Sequence, residues 1–264
     1  MLLVEIGKAA HRVRTYVLGA LLTGVALLPV IILSTAGSEE GGPPFFDLIP
    51  RNGLFASLTA VALIQPFILP LGAALLSGET LAGEATAGTL RYLLVRPVGR
   101  VRLVGAKYGA VMALLALAVI WVLLIGMVSG GIAYGFGPLP TLSGTTLSGG
   151  AAAARLAAAA GYVLLGVAGV AAIGVFVSTI TESAPGATVA TVAFVIISQI
   201  LDAIPSVRAL RPYLLTHDWL AFTDLFRSPV AWDAMRHGVV VFVAYTVVFL
   251  GASLAIFTRK DVVS

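Results

Sequence analysis

Hydrophobic positions run through this chain in long charge-free stretches, broken by short polar segments. Crossing the hydrocarbon core of a bilayer takes about 20 apolar residues at about 1.5 Å rise each. Six stretches approach that length: residues 16–35, 54–76, 108–133, 156–179, 188–204 and 238–257. The third and fourth lie inside one uncharged run, which the turn-rich YGFGPLPTLSGTTLSGG around Pro138 and Pro140 divides. The fifth is the shortest. The pattern predicts an all-α membrane protein with six transmembrane helices in a single transmembrane domain over residues 1–264.

Composition sharpens this reading. The 264 residues are 59% hydrophobic and 11% charged, with a mean hydropathy of +1.04, far outside the range of soluble domains. Six spans place both termini on one side, and the Lys/Arg distribution decides which. With the termini cytoplasmic, inner segments hold Lys8, Arg12, Arg14, Arg91, Arg96, Arg100, Arg102, Lys107, Arg259 and Lys260. The outer loops hold Arg51, Arg155, Arg208, Arg211, Arg227 and Arg236. Ten against six favours cytoplasmic N- and C-termini. Glu39, Glu40, Asp47, Asp218, Asp224 and Asp233 then fall outside, in the same direction. The net charge of +4 reflects this orientation. No basic, aromatic-interleaved soluble domain is present to make nucleic acid a partner.

The absence of cysteine excludes disulfides, Cys zinc sites and iron–sulfur clusters. The basic N-terminus followed by an apolar run superficially resembles a secretory signal, but the run is too long for a cleaved segment and reads as an uncleaved first helix. Ahead of it, residues 1–15 place Leu3, Ile6, Ala10 and Val13 at helical spacing. They form either an amphipathic helix in the inner interface or a cytosolic extension of the first span. Residues 205–237 are the longest outer loop. Thr216 is placed to N-cap a helix carrying Trp219, Phe222 and Phe226 on one face, and Ser228-Pro229 to start another leading into the sixth span. This extracellular helical segment reads as an interfacial aromatic belt or as an outer gate. Small-xxx-small pairs such as Ala20/Gly24, Gly105/Gly109 and Gly131/Gly135 offer weak signals of close helix packing.

Catalytic chemistry finds little support. The chain has no HExxH, no GxSxG and no paired aspartates at membrane depth, and His11, His217 and His237 are scattered near the surfaces, which argues against a bound metal. Residues 83–90, GEATAGTL, carry the two glycine positions of a phosphate loop, but Thr89 replaces the required lysine, so this chain binds no ATP and no cofactor of its own. An ion-coupled transporter or channel would show ionisable groups or broken helices near the midplane. Gln65-Pro66, Pro70, Gln199 and Asp202 are the few candidates.

Charge concentrates instead in residues 77–107. Five of the sixteen basic residues lie in EATAGTLRYLLVRPVGRVRLVGAK, residues 84–107. Thr89 can N-cap a short helix in which Leu90, Leu93 and Leu94 share a face, while Pro97 ends it. The product is an apolar ridge flanked by Arg91, Arg96, Arg100 and Arg102, fit to lie on lipid or to dock in a groove of a soluble partner. Glu79 and Glu84 either pair with these arginines or are solvated.

The order Glu84-x-x-x-Gly88-Thr89-Leu90-x-x-Leu93-Leu94-x-x-Pro97-x-x-Arg100, continuing to Lys107, resembles the signature of type 2 ABC exporter permeases, the membrane subunits of bacterial efflux systems. The six spans, the helical outer segment and the ending IFTRKDVVS are similar too. The resemblance implies a permease in the cell membrane that pairs with a second permease subunit, identical or different, and with ABC ATPase subunits carrying the ATP and Mg. It implies that residues 77–107 hold a cytoplasmic coupling helix. The implied ATPase interface is Glu79, Glu84, Gly88, Thr89, Leu90, Arg91, Leu93, Leu94, Arg96, Pro97, Arg100 and Glu182. Spans two and five line the path in that family, which makes Gln65, Phe67 and Gln199 candidates for contact with a hydrophobic or amphipathic substrate such as a drug, peptide or lipid.

Overall fold

A computed structural model describes residues 13–36, 42–83 and 99–259. They form an up-and-down bundle of α1 (Val13–Ala36), α2 (Leu54–Ile64), α3 (Ile68–Gly78), α4 (Arg100–Tyr134), α5 (Gly149–Ile180), α6 (Ala184–Ala203) and α7 (Asp233–Arg259). Five of these helices are long and apolar enough to cross a membrane, and α2 with α3 supplies a sixth span when the bent pair is counted as one. The chain is therefore an all-α, multi-pass membrane protein in its architecture. One small exception to the helical expectation is an antiparallel ribbon of β1 (Leu139–Pro140) and β2 (Thr146–Leu147), built in the turn-rich segment between α4 and α5.

The second span is not the continuous helix expected over 54–76. It is two helices of 11 residues each, bent by 56° at residues 65–67. The cause is chemical: Pro66 and Pro70 both lack an N–H, so neither can donate to the carbonyl four residues earlier. α4 and α5 overrun their expected spans, at 35 and 32 residues, and α4 absorbs Arg100, Arg102 and Lys107 into its first turns. Ser148 and Ser183 open α5 and α6, accepting hydrogen bonds from Ala151 N and Gly186 N.

α5 is the axis of the bundle: 72% of its apolar window is buried, against 11% for α7. Its surroundings show how closely neighbours approach it. A Cβ added to Gly174 would collide with Ser77 Oγ of α3, and one on Gly238 of α7 would collide with the Tyr162 hydroxyl of α5. The closest backbone approach lies elsewhere, between α2 and α4. A Cβ on Gly130 would run into Gly53 O, and one on Gly126 would sit 2.6 Å from Ser57 Cα. The four-residue pairs Gly53/Ser57 and Gly126/Gly130 thus form the small-residue contact. Of the expected pairs, added Cβ atoms at Gly24, Gly105 and Gly135 meet nothing, whereas Gly131 lies against Gly53 and Phe136.

At the end of the bundle that carries the ribbon, residues 205–213 and 219–226 form two 3-10 helices. Trp219, Phe222 and Phe226 lie in the second of these, and all three are buried. Phe45 lies between Phe55 and Phe226, with ring centroids 5.6 and 5.3 Å away. These rings plug the bundle end and are not an interfacial belt. Thr216 is not the expected cap: its hydroxyl pairs with Ser198 Oγ at 2.9 Å, and Asp218 precedes the helix without a side-chain cap bond. Ser228-Pro229 starts no helix either, since residues 227–232 are irregular and α7 begins at Asp233.

Candidate functional site

Two places in the bundle hold polar chemistry where apolar packing is the rule: the break in the second span and the base of the charged loop. The break is built by proline spacing. In an unbroken helix the carbonyl of Pro66 would accept from residue 70, and Pro70 has nothing to donate. Gln199 of α6 supplies the missing donor, its Nε2 lying 2.7 Å from Pro66 O. Gln199 and the Gln65–Phe67 break therefore meet, although 133 residues separate the bonded pair in sequence.

Their environments differ sharply. Gln65 is 1% exposed, and neither its Nε2 nor its Oε1 has a hydrogen-bond partner. Phe67, two residues on, is 64% exposed and points away from the core. An unpaired buried carboxamide costs about 1–3 kcal/mol, so the break holds an unmet donor and an unmet acceptor beside an exposed aromatic ring. A single neutral group with both functions, an amide or a hydroxyl, would satisfy it.

The second locus is the pair of stems that enter and leave residues 84–98. Glu79 ends α3, its N–H directed to Leu75 O and Ser77 O. Beyond it a hydroxyl of α5 anchors the chain. Ser178 Oγ of α5 accepts from Leu81 N at 3.0 Å and Ala82 N at 2.8 Å, and donates to Gly78 O at 2.9 Å. Those three bonds use its one donor and two lone pairs; Thr80 Oγ1, which donates to Ser77 O at 2.6 Å, also lies 3.4 Å from it. On the exit side, Arg100 Nη1 donates to Phe257 O at 3.1 Å and Thr258 O at 2.8 Å, the last carbonyls of α7. A cation beside carbonyls in the last described turn of a helix suits the helix dipole. Leu81, Leu103, Val104, Val175 and Phe257 close a small apolar cluster beneath both stems.

Of the residues expected at an ATPase interface, Glu84, Gly88, Thr89, Leu90, Arg91, Leu93, Leu94, Arg96 and Pro97 lie outside the described residues. Glu79 and Arg100 flank that segment at the same bundle end, and Glu182 is exposed in the short link between α5 and α6. Sequence reasoning did not find Ser178: a serine inside an Ala/Gly-rich helix carries no signal until the chain it caps is known. It also missed the carboxylate–imidazole pairs at the ribbon end. There Asp202 Oδ1 lies 2.7 Å from His217 Nδ1, and Asp218 Oδ2 lies 2.6 Å from His237 Nδ1. Among the described residues no cluster of three His, Cys, Asp or Glu side chains suits a metal ion.

Comparison with known proteins gives two findings. A protein of Stutzerimonas stutzeri described as the probable ABC transporter permease protein NosY is 34% identical to this chain over 101 residues, which is 38% of this chain. The matched stretch spans 34% of NosY itself. A family profile, described as "Protein of unknown function (DUF2705)", matches residues 26–263, nearly the whole chain. By that match the chain belongs to the DUF2705 family.

Proposed function

We propose that this chain is the membrane-spanning permease subunit of an ATP-driven ABC exporter in the cell membrane, with both termini cytoplasmic. It has no catalytic site of its own. A separate ATPase, carrying ATP and Mg, docks on the segment 89–97, and a second permease subunit completes the path. The observation that carries this reading is the pair of stems, anchored to the bundle by Ser178 and Arg100, that enter and leave the segment whose sequence carries the permease-like pattern. A lever works only on a stiff base, and both stems rest on buried apolar side chains. The likeness to NosY, a probable ABC permease by its description, supports the same reading.

In this mechanism ATP binds the closed ATPase dimer better than the open one, and that difference in affinity biases the permease between two conformations. Leu90, Leu93 and Leu94 seat in the ATPase groove, while Glu84, Arg91 and Arg96 set the angle and Glu79 and Glu182 border the contact. The substrate, a hydrophobic or amphipathic drug, peptide or lipid, passes near the break, with Gln65, Phe67 and Gln199 the residues expected along its path.

Purification of the tagged protein from its own membranes in mild detergent tests this directly. A stoichiometric soluble chain with GxxxxGK[ST] is the expected companion. Leu93→Asp should abolish that association and leave membrane insertion intact, because the groove would desolvate an unpaired carboxylate. Normal co-purification and ATPase stimulation by Leu93→Asp would remove the coupling-helix assignment. One observation favours a second reading, an ion-coupled transporter: a span broken in its interior is a common way to present backbone carbonyls to an ion. Transport that persists with no nucleotide-binding chain present would select it.

A further inference from the structure

We infer that Arg100 is a positioning residue that makes α7 follow the charged loop, so that loop movement reaches the aromatic plug at the far end of the bundle. The inference rests on the permease reading and adds a route to it. Three helices leave the loop's base. α3 runs into the 56° break after 11 residues, a compliant joint. α4 is continuous with the loop and leads to the β1–β2 ribbon. α7 is remote in sequence, and Arg100 grips its last carbonyls across 157 and 158 residues.

α7 suits transmission. Its 27 residues contain no proline and span about 40 Å as a helix. The inner end is held by Arg100 and by Phe257 in the apolar cluster beneath the stems. Along the bundle it packs on α5, where Phe242 meets the Tyr162 ring at 5.3 Å. At the far end His237 holds Asp218, the residue that opens the 3-10 helix Trp219–Phe226. The Tyr162 hydroxyl donates to Asp218 O at 2.7 Å, so the same residue is tied to both α5 and α7. A displacement of the stem at Arg100 therefore moves a continuous rod whose other end grips the plug.

The test uses the full complex, purified with its co-purifying ATPase into lipid nanodiscs, and peptide-resolved hydrogen exchange of residues 205–226 in ATP plus vanadate against ADP. Wild type should show a nucleotide-dependent change in that segment. In Arg100→Gln, whose side chain is also expected at the ATPase contact, the complexes that retain the ATPase should lose the change at 205–226. Arg100→Lys, with one cationic group in place of the fork, should keep part of it. Because the chain has no cysteine, a bismaleimide can bridge Arg100→Cys and Thr258→Cys alone. That bridge should restore the change, which a role confined to stability or to ATPase contact would not predict. An intact nucleotide response in Arg100→Gln, a wild type without any response at 205–226, or a bridged variant that hydrolyses ATP without restoring it would each overturn the inference. A wild type that retains no ATPase would instead remove the permease reading, and this route with it.

Discussion

Gln199→Leu isolates the chemistry of the broken span. The substitution roughly keeps volume but removes the amide whose Nε2 lies 2.7 Å from Pro66 O. Elsewhere in a helix bundle a lost interhelical hydrogen bond costs about 0.6 kcal/mol on average, because the freed groups find other partners. Here the carbonyl has no fallback, since its intrahelical donor would be Pro70. The cost should therefore approach that of an unsatisfied polar group, about 1–3 kcal/mol. Reversible SDS titration in mixed micelles, followed by far-UV circular dichroism, measures it. Pro70→Ala supplies the decisive control, because the substitution restores a backbone N–H four residues after Pro66. In that background Gln199→Leu should cost much less, giving a coupling of about 1 kcal/mol or more in a double-mutant cycle. Equal costs in the two backgrounds would refute the argument that proline spacing makes Gln199 necessary.

Other substitutions probe the remaining contacts. Gln65→Leu removes a buried carboxamide without partners and should raise stability by about 1–3 kcal/mol in the same titration, while slowing transport in proteoliposomes. Gly130→Ala should destabilise by about 1–3 kcal/mol, because its Cβ would collide with Gly53 O. Gly105→Ala, whose Cβ meets nothing, should be neutral or stabilise by up to about 1 kcal/mol. Ser178→Ala should cost about 1–3 kcal/mol and speed amide exchange at Leu81 and Ala82, leaving the rest of α5 protected.

The helices were legible in the sequence because a bilayer penalises charge over about 20 residues, and each charge-free stretch became an apolar helix or helix pair. What stayed hidden depended on pairing across the bundle. Gln65, Pro66 and Gln199 stood out as rare polar or helix-breaking residues in apolar runs, yet nothing in the spacing of Pro66 and Pro70 says which helix supplies the missing donor. Gly126 and Gly130 were lost among 29 glycines, since a close approach is a property of two helices and not of either pattern. Phe222 and Phe226 read as part of a membrane-surface belt or an outer gate because their partners, Phe45 and Phe55, come from the other end of the sequence. Arg100 read as part of the permease-like motif and of an ATPase interface, and only the fold brings the end of α7 within its reach.

The broken span also bears on how the protein is made. Each half is 11 residues long, about 16 Å as a helix, roughly half the thickness of the hydrocarbon core. Neither half can cross a membrane alone, and the freed carbonyls at the joint are unwelcome in lipid. Nine of the eleven residues of α2 are buried by neighbours, and the groups that shelter the joint and α3 lie on α5 and α6, far downstream. During synthesis the second span leaves the ribosome before any of that shelter exists. The bond that closes the joint can form only after residue 199 has been translated.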